Sequence, residues 1–367
     1  MTCLQEKPDD SELLNLLNHA FNGWGTKEYF EWKYNSFPHY KPEKHNFLVF
    51  EETGDLVGAK RIFKKYLCLP YGEKVPVHVH GGSVVHEDYR GRGHYSSMLS
   101  KSMDYSSEKV DHNFTFNREG KITTKHHKKE GWKWVTLPIY VKIISPSNVL
   151  ANYLLEDNYT KGIANYLSKV DRQLTKSKIA SKMFANGAEL FYGDSKKEKN
   201  EKSFVRNENN YELEAIDGDK VSKELVIEVA EYINERVVAN YHFERNEKII
   251  EHCLAYPNGK LFLARDEDDQ EIVDVVVAGL LEKQGLRECR ILEQTWSEPE
   301  ATKLLLSKVE NYIRKLKGDV MAICTDRRPG SDWIKMDTEY MMWPGSNNKD
   351  GLPNEISEWR ITTYDVV

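Results

Sequence analysis

Tyr89-Arg90-Gly91-Arg92-Gly93-His94-Tyr95-Ser96 joins an apolar strand ending in Ser83-Val84-Val85 to an amphipathic helix. Two glycines remove side chains where the chain turns, so backbone N–H groups can approach a ligand closely. The free N–H groups of the helix's first turn, with the positive end of its dipole behind them, face the same point. Arg90 and Arg92 add two full positive charges. Such a junction is a socket for a phosphate or pyrophosphate. A dinucleotide would need G-x-G-x-x-G in an early βαβ unit and an acidic residue ending the next strand. Here the next strand ends in Asn117-Arg118 and several antiparallel strands come first, which argues against that ligand.

Other side chains capable of proton transfer cluster nearby in sequence. His78 and His80 alternate on one face of the strand 75–85, opposite Val77 and Val79. That face either looks into an acceptor cleft, making His80 a candidate base, or is simply half exposed. Glu87 and Asp88 stand at the strand's end, with Glu87 a second candidate base. His126 and His127 sit among Lys125, Lys128 and Lys129, on a helix that is either an exposed polar face or a source of an acid near neutral pH. His-x-His invites a metal, but no third ligand stands at a convincing spacing, so none is expected.

The elements that must hold these residues follow from periodicity. Helices are predicted at 11–21 and 26–34, a hairpin at 46–52 and 56–69, and a third strand at 75–85. A helix at 93–109, a strand at 112–117, a polar helix at 121–129 and a strand at 132–144 come next. Further helical spacing runs from 147 to about 192, and 194–210 is the most polar stretch. The second half repeats the order with helices at 221–239 and 245–255 and strands at 261–265, 272–282 and 288–296. A helix at 298–317 and strands at 320–325 and 360–366 complete it. The repeat is one of pattern only, at a spacing of roughly 200 residues.

The totals set outer limits. A chain of 367 residues is long for one core, and two domains are the natural expectation. The net charge of -6 argues against general nucleic-acid or anionic-membrane binding. Five scattered cysteines without a C-x-x-C pair suggest a reducing, cytoplasmic setting, and no signal peptide or membrane span is expected.

With these residues in view, the first half resembles the GNAT superfamily of acyl-CoA-dependent N-acetyltransferases. Val84-Val85-His86-Glu87-Asp88-Tyr89-Arg90-Gly91-Arg92-Gly93 is similar to the family's strand and Arg/Gln-x-x-Gly-x-Gly/Ala loop, with Gly93 as second glycine. Lys129-Glu130-Gly131-Trp132 is similar to its helix-to-strand corner, and Glu31-Trp32-Lys33-Tyr34-Asn35 to an acceptor-side helix. The resemblance covers residues 1–144 and implies acetyl-CoA as co-substrate, without a metal. It implies pyrophosphate binding at Arg90, Gly91, Arg92, Gly93, His94, Tyr95 and Ser96. A backbone N–H near Val84 or Val85 would polarise the thioester. The pantetheine arm would lie along Ser83–Val85, with Asn117 across the gap. The family's acid, usually a tyrosine four residues before the corner glycine, falls on His127. Trp24, Trp32, Tyr34 and Phe37 are candidates to line the acceptor pocket.

The expected fold is α+β (mixed α/β), with two GNAT-like domains, each a mostly antiparallel mixed sheet flanked by helices. Residues 1–146 would be the catalytic domain, 147–210 a helical connector and polar linker, and 211–367 a degenerate copy. In that copy Ser297 and Glu300 read as a capping box, which would close the equivalent anion site. The expected activity is acetyl transfer to a primary amine of a small molecule, such as an amino sugar or related metabolite, or else to a peptide amine. A non-catalytic acyl-CoA sensor and a longer-acyl or aminoacyl transferase are the alternatives. Monomer and homodimer both stay open.

Overall fold

The computed structural model describes residues 3–145, 148–149, 211–236, 239–283, 285–345 and 352–366. The helices expected over 147–192 and the polar stretch 194–210 therefore lie outside the described residues, apart from 148–149. In chain order the first half runs β1 (Cys3–Leu4), α1 (Asp10–Ala20), α2 (Lys27–Phe30), α3 (Pro42–His45), β2 (Asn46–Phe50) and β3 (Leu56–Cys68). It continues through β4 (Lys74–Val85), α4 (His94–Ser107), β5 (His112–Arg118), α5 (Ile122–Lys129) and β6 (Lys133–Ile143). The second half runs β7 (Tyr211–Asp217), α6 (Lys223–Glu235), β8 (Tyr241–Phe243), α7 (Glu247–Leu254), β9 (Lys260–Asp266), β10 (Ile272–Lys283) and β11 (Leu286–Gln294). Then come α8 (Pro299–Lys315), β12 (Val320–Cys324), β13 (Ile334–Trp343), β14 (Trp359–Arg360) and α9 (Thr363–Val366).

The architecture is a large mixed sheet flanked by helices, as expected for the fold class. The main path is β1-β2-β3-β4-β5-β13-β6-β12-β11-β10-β9-β7, with β8 and β14 joined at the side. Its centre is symmetric in pattern. A parallel pair, β4 with β5, stands on one side and a parallel pair, β11 with β12, on the other. Between them β13 and β6 run antiparallel to each other, β13 beside β5 and β6 beside β12. The last long strand of the chain thus completes the first half's sheet, and β6 completes the second's.

Local chemistry explains the elements that frame the junction. The Asp9 carboxylate accepts from Ser11 N at 2.8 Å and Glu12 N at 3.0 Å, starting α1, and Leu13, Leu16 and Leu17 bury its apolar face. Thr26 caps α2 through Tyr29 N at 3.2 Å, and the chain then widens into a π turn over Glu31–Asn35. The α1 and α2 side of the sheet carries the main core, with Val77, Val79, Phe63 and Phe114 packed under Trp24 and Tyr34. The other side of the first half is covered by α4 and α5, where Ile62, Phe47 and Met98 form a second cluster.

Three sequence expectations are corrected. β13, absent from the sequence reading, occupies the centre of the sheet. Residues 360–366 are not a strand. Trp359–Arg360 pairs briefly with β8, and Thr362 N then bonds the Asp365 carboxylate at 3.1 Å, closing a helical turn. Ser297 does not cap α8. The N-cap is Glu298, without a side-chain bond, and Pro299 takes the first helical position.

Candidate active site

β4 and β5 pair from Val77 with His112 to His80 with Thr115, and then part. Beyond that point β4 stays with β3 through Ala59–Val84 and Gly58–Val85, while β5 stays with β13 through Asn117–Tyr340 and Arg118–Glu339. Among the described residues the edges that face each other across 81–85 and 116–118 have no ladder partner, which leaves room for an extended, amide-bearing chain. At the mouth of this gap Gly91 and Gly93 have φ of +80° and +83°, the region that only glycine enters freely. No atom lies within 4 Å of where either Cβ would stand. Gly93 is the N-cap of α4 and no side chain caps that turn. The helix start is therefore open as well as unsatisfied. Both arginines brace the loop: Arg90 Nε donates to Val85 O at 3.2 Å, and Arg92 Nη2 to Asp88 O at 3.0 Å, with its guanidinium over Tyr89.

On the α1 side the gap opens into a cleft of about 1330 Å³. Ser83, Tyr95, Asn117 and Glu87 all line it, so the structure brings these predicted residues together around the junction. Trp24 and Tyr34 line it too. Trp32 and Phe37 do not: Trp32 stacks on His252 at 4.8 Å and donates to its carbonyl at 2.7 Å, and Phe37 packs on Phe63. Glu87 sits on the rim, 3.5 Å from His19 Nε2, and His86 stacks on His19 at 4.5 Å.

The two candidate histidines lie elsewhere. His80 is buried on the α4 side, with Nε2 3.0 Å from Asn113 Oδ1 and Nδ1 3.3 Å from Ser102 Oγ. His78 meets Ser106 Oγ at 2.9 Å on the same side. Burial pushes both well below the ordinary histidine range, His78 to about 4, so both are neutral. The face shared by His78 and His80 thus looks into the core under α4 and not into the cleft. His127 is also buried, its ring 4.3 Å from Trp132 at the Gly131 corner. Its Nδ1 lies 2.7 Å from Thr123 O, an acceptor only, so Nδ1 carries the proton and Nε2 is bare and without a partner. Burial lowers it to about 4. In this environment the ring has no spare proton near neutral pH.

Three charged groups that sequence reasoning missed do stand at the site. Lys60 is buried against the α4 side of the gap, its Nζ 3.3 Å from Ser83 Oγ and 5.9 Å from the Tyr95 ring. Burial alone lowers it to about 7, and its charge is felt by both His80 and His127. Glu339, on β13, is buried beside the cleft-lining Arg118 and accepts from its Nε at 3.1 Å. Burial raises this carboxyl to about 7, with Arg118 opposing the shift. Lys33 follows the α2 turn into the cleft wall, 5.8 Å from the Trp24 ring, and burial with nearby Arg290 holds it at about 7. The signal for Glu339 was the alternation Lys335, Asp337, Glu339 along β13. The two lysines carry no local signal, because lysine is ordinarily exposed.

Residues 5–122 match the family model described as an acetyltransferase (GNAT) domain. The matched segment, from just after β1 to the start of α5, is thus similar to a GNAT acetyltransferase domain. No curated protein matches the chain by sequence. The whole fold is similar to that of a crystal structure from Enterococcus faecalis V583 described as a "probable N-acyltransferase". That likeness has a TM-score of 0.53 and 11% identity, over 93% of this chain and 71% of that one. It is also similar to Saccharomyces cerevisiae N-myristoyltransferase with bound myristoyl-CoA, with a TM-score of 0.56 and 15% identity, over 91% of this chain and 79% of that one. The matched segment thus sits within a larger fold similar to those two structures, and the glycine junction, parted strands and cleft fall within or beside it. All five cysteines are buried and unpaired. Among the described residues no group of three metal-binding side chains converges, and no helix is long and apolar enough to cross a membrane.

Proposed function

We propose that this chain is an acyl-CoA-dependent N-acyltransferase, with acetyl-CoA as donor and the primary amine of a small molecule as acceptor. The observation that carries this reading is the open, uncapped glycine turn at the end of two parted strands, which fits a pyrophosphate followed by a pantetheine arm. The donor supplies an activated acyl thioester. Backbone N–H groups of Gly91 to Ser96 bind its phosphates, and the unpaired edges of 81–85 and 116–118 align its amide-bearing arm. Glu339 takes the proton of the amine; its raised affinity for protons suits a base working near neutral pH. Lys60 holds a proton to give the departing thiolate, a role the bare Nε2 of His127 does not fill.

A long-chain donor is the second reading, favoured by the likeness to an N-myristoyltransferase fold. Thiol release measured with acetyl-CoA and with myristoyl-CoA, each across a panel of amines, separates the two. Transfer from acetyl-CoA supports the first reading and transfer from myristoyl-CoA alone supports the second. CoA binding without release from either leaves a sensor.

A further inference from the structure

The cleft holds a charge imbalance that the acyltransferase reading does not by itself explain. Each acidic side chain around it has a partner within the protein. Glu87 pairs with His19 at 3.5 Å, Glu119 accepts from Tyr340 Oη at 3.0 Å, and Asp337 and Glu339 share Arg118 at 3.9 and 3.1 Å. Among the described residues none of the four lysines in the lining has a carboxylate within ion-pairing distance; Lys121 and Lys335 are exposed to solvent, whereas Lys33 and Lys283 are half-buried. Lys33 rests over the Trp24 and Tyr29 rings, and Lys283 ends β10 on the wall supplied by the second half. The acid whose charge Lys283 feels, Glu288, is bonded to Arg290 at 2.8 Å. Both lysines feel the positive charges of Arg290 and Arg118 and are partly buried. Unpaired ammonium groups in such a setting are costly, and an incoming anion relieves both the desolvation and the repulsion from Arg290 and Arg118.

We infer that the acceptor carries an anionic group, a carboxylate or a phosphate, beside its amine, and that Lys33 and Lys283 receive that group. The inference rests on the acyltransferase reading, because it treats the cleft as the acceptor site. The arrangement provides two-point recognition. Lys33 is close enough to Glu339 for each to perturb the other, so an anion held at Lys33 leaves a neighbouring amine facing the carboxyl that takes its proton. A neutral amine would make only the second contact.

Binding of matched probes to the full chain tests this without requiring turnover. L-Leucine against L-leucinamide supplies the carboxylate arm, and glucosamine 6-phosphate against glucosamine the phosphate arm. Intrinsic tryptophan fluorescence and calorimetry report the affinity. The anionic member of at least one pair is expected to bind 10-fold or more tightly. That preference should fall to about twofold or less in Lys33→Met and Lys283→Met, and should survive in Lys33→Arg. Equal binding within both pairs, or a preference unchanged in both Met variants with melting temperatures preserved, would overturn the inference. CoA affinity is titrated separately, so that failure to bind CoA fells the acyltransferase reading alone.

Discussion

The molecule contains the same gap twice, and only one is open. In the first half β4 and β5 separate after His80 and Thr115, and the space beyond leads to a glycine turn with nothing in it. In the second half β11 and β12 run parallel only from Glu288–Val320 to Arg290–Ala322, while β11 continues to Gln294. The end of the chain occupies the space so created. Arg360 Nη2 donates to Gln294 O at 2.8 Å, and Cys324 N donates to Thr363 Oγ1 at 2.8 Å. Arg245 binds Glu293 and Asp365 at once, and its Nη2 also reaches Thr362 Oγ1 at 2.9 Å, all in the dry interior. The helix that follows begins with Glu298 and Pro299, and buried Asp274 gathers the hydroxyls of Thr295 and Thr302. Two lessons follow. A binding gap in this fold is made by leaving backbone unpaired and turns uncapped. The same strand geometry becomes structure once side chains satisfy those groups internally.

Breaking the filled gap should have the largest effect. Arg245→Ala removes the shared partner of two buried carboxylates, leaving Glu293 with Arg360 and Asp365 with Lys65 alone, and is expected to cost about 3–5 kcal/mol in urea unfolding. A loss under about 1 kcal/mol would mean the network does not hold the C-terminal segment in place. The pH dependence follows from Asp365, whose carboxyl Arg245 and Lys65 hold below its ordinary range against the opposing effect of burial. Its stabilisation is complete above the ordinary carboxylate pKa and drains away as pH falls through and below that range.

On the open side, Glu339→Gln should lower kcat/KM by about 10²-fold or more and flatten the acidic limb of its pH profile near 7. An unchanged profile would remove Glu339 as the base. Because this carboxyl binds its proton more tightly folded than unfolded, wild-type stability should also decline as pH rises from about 4.5 to 7, and the variant should lose that slope. Gly93→Ala places a Cβ in left-handed backbone and should cost about 1–2 kcal/mol of stability while weakening CoA binding. Lys60→Met should have the smallest effect on stability, about 1 kcal/mol either way, since it removes a buried charge with no carboxylate beside it. Thiol release at neutral pH should nevertheless slow.

How much of this was legible in the sequence depended on how local each feature is. The glycine junction, the Gly131–Trp132 corner and the β2–β3 hairpin are written in neighbouring residues, and all three stand where the pattern placed them. The alternation of His78 and His80 fixed that they share a face but not which face, and packing under α4 decided that. β13 was missed because its centre pairs with strands more than 190 residues away, as Glu339 does with Arg118 and Leu137. The β-branched run Ile361-Thr362-Thr363 reads as a strand, yet the Asp365 carboxylate curls it into a turn. Ser297 and Glu300 have the spacing of a capping box, but Pro299 starts the helix one residue later than that box requires.

The central claim is that the first gap takes an acyl-CoA and the second does not. Calorimetric titration of the full chain with CoA, beside Gly93→Glu and Glu298→Gly, tests it most directly. The expected result is one site per chain, abolished by Gly93→Glu with the far-UV spectrum retained and unaffected by Glu298→Gly. Two sites per chain, or unchanged affinity in Gly93→Glu, would contradict it.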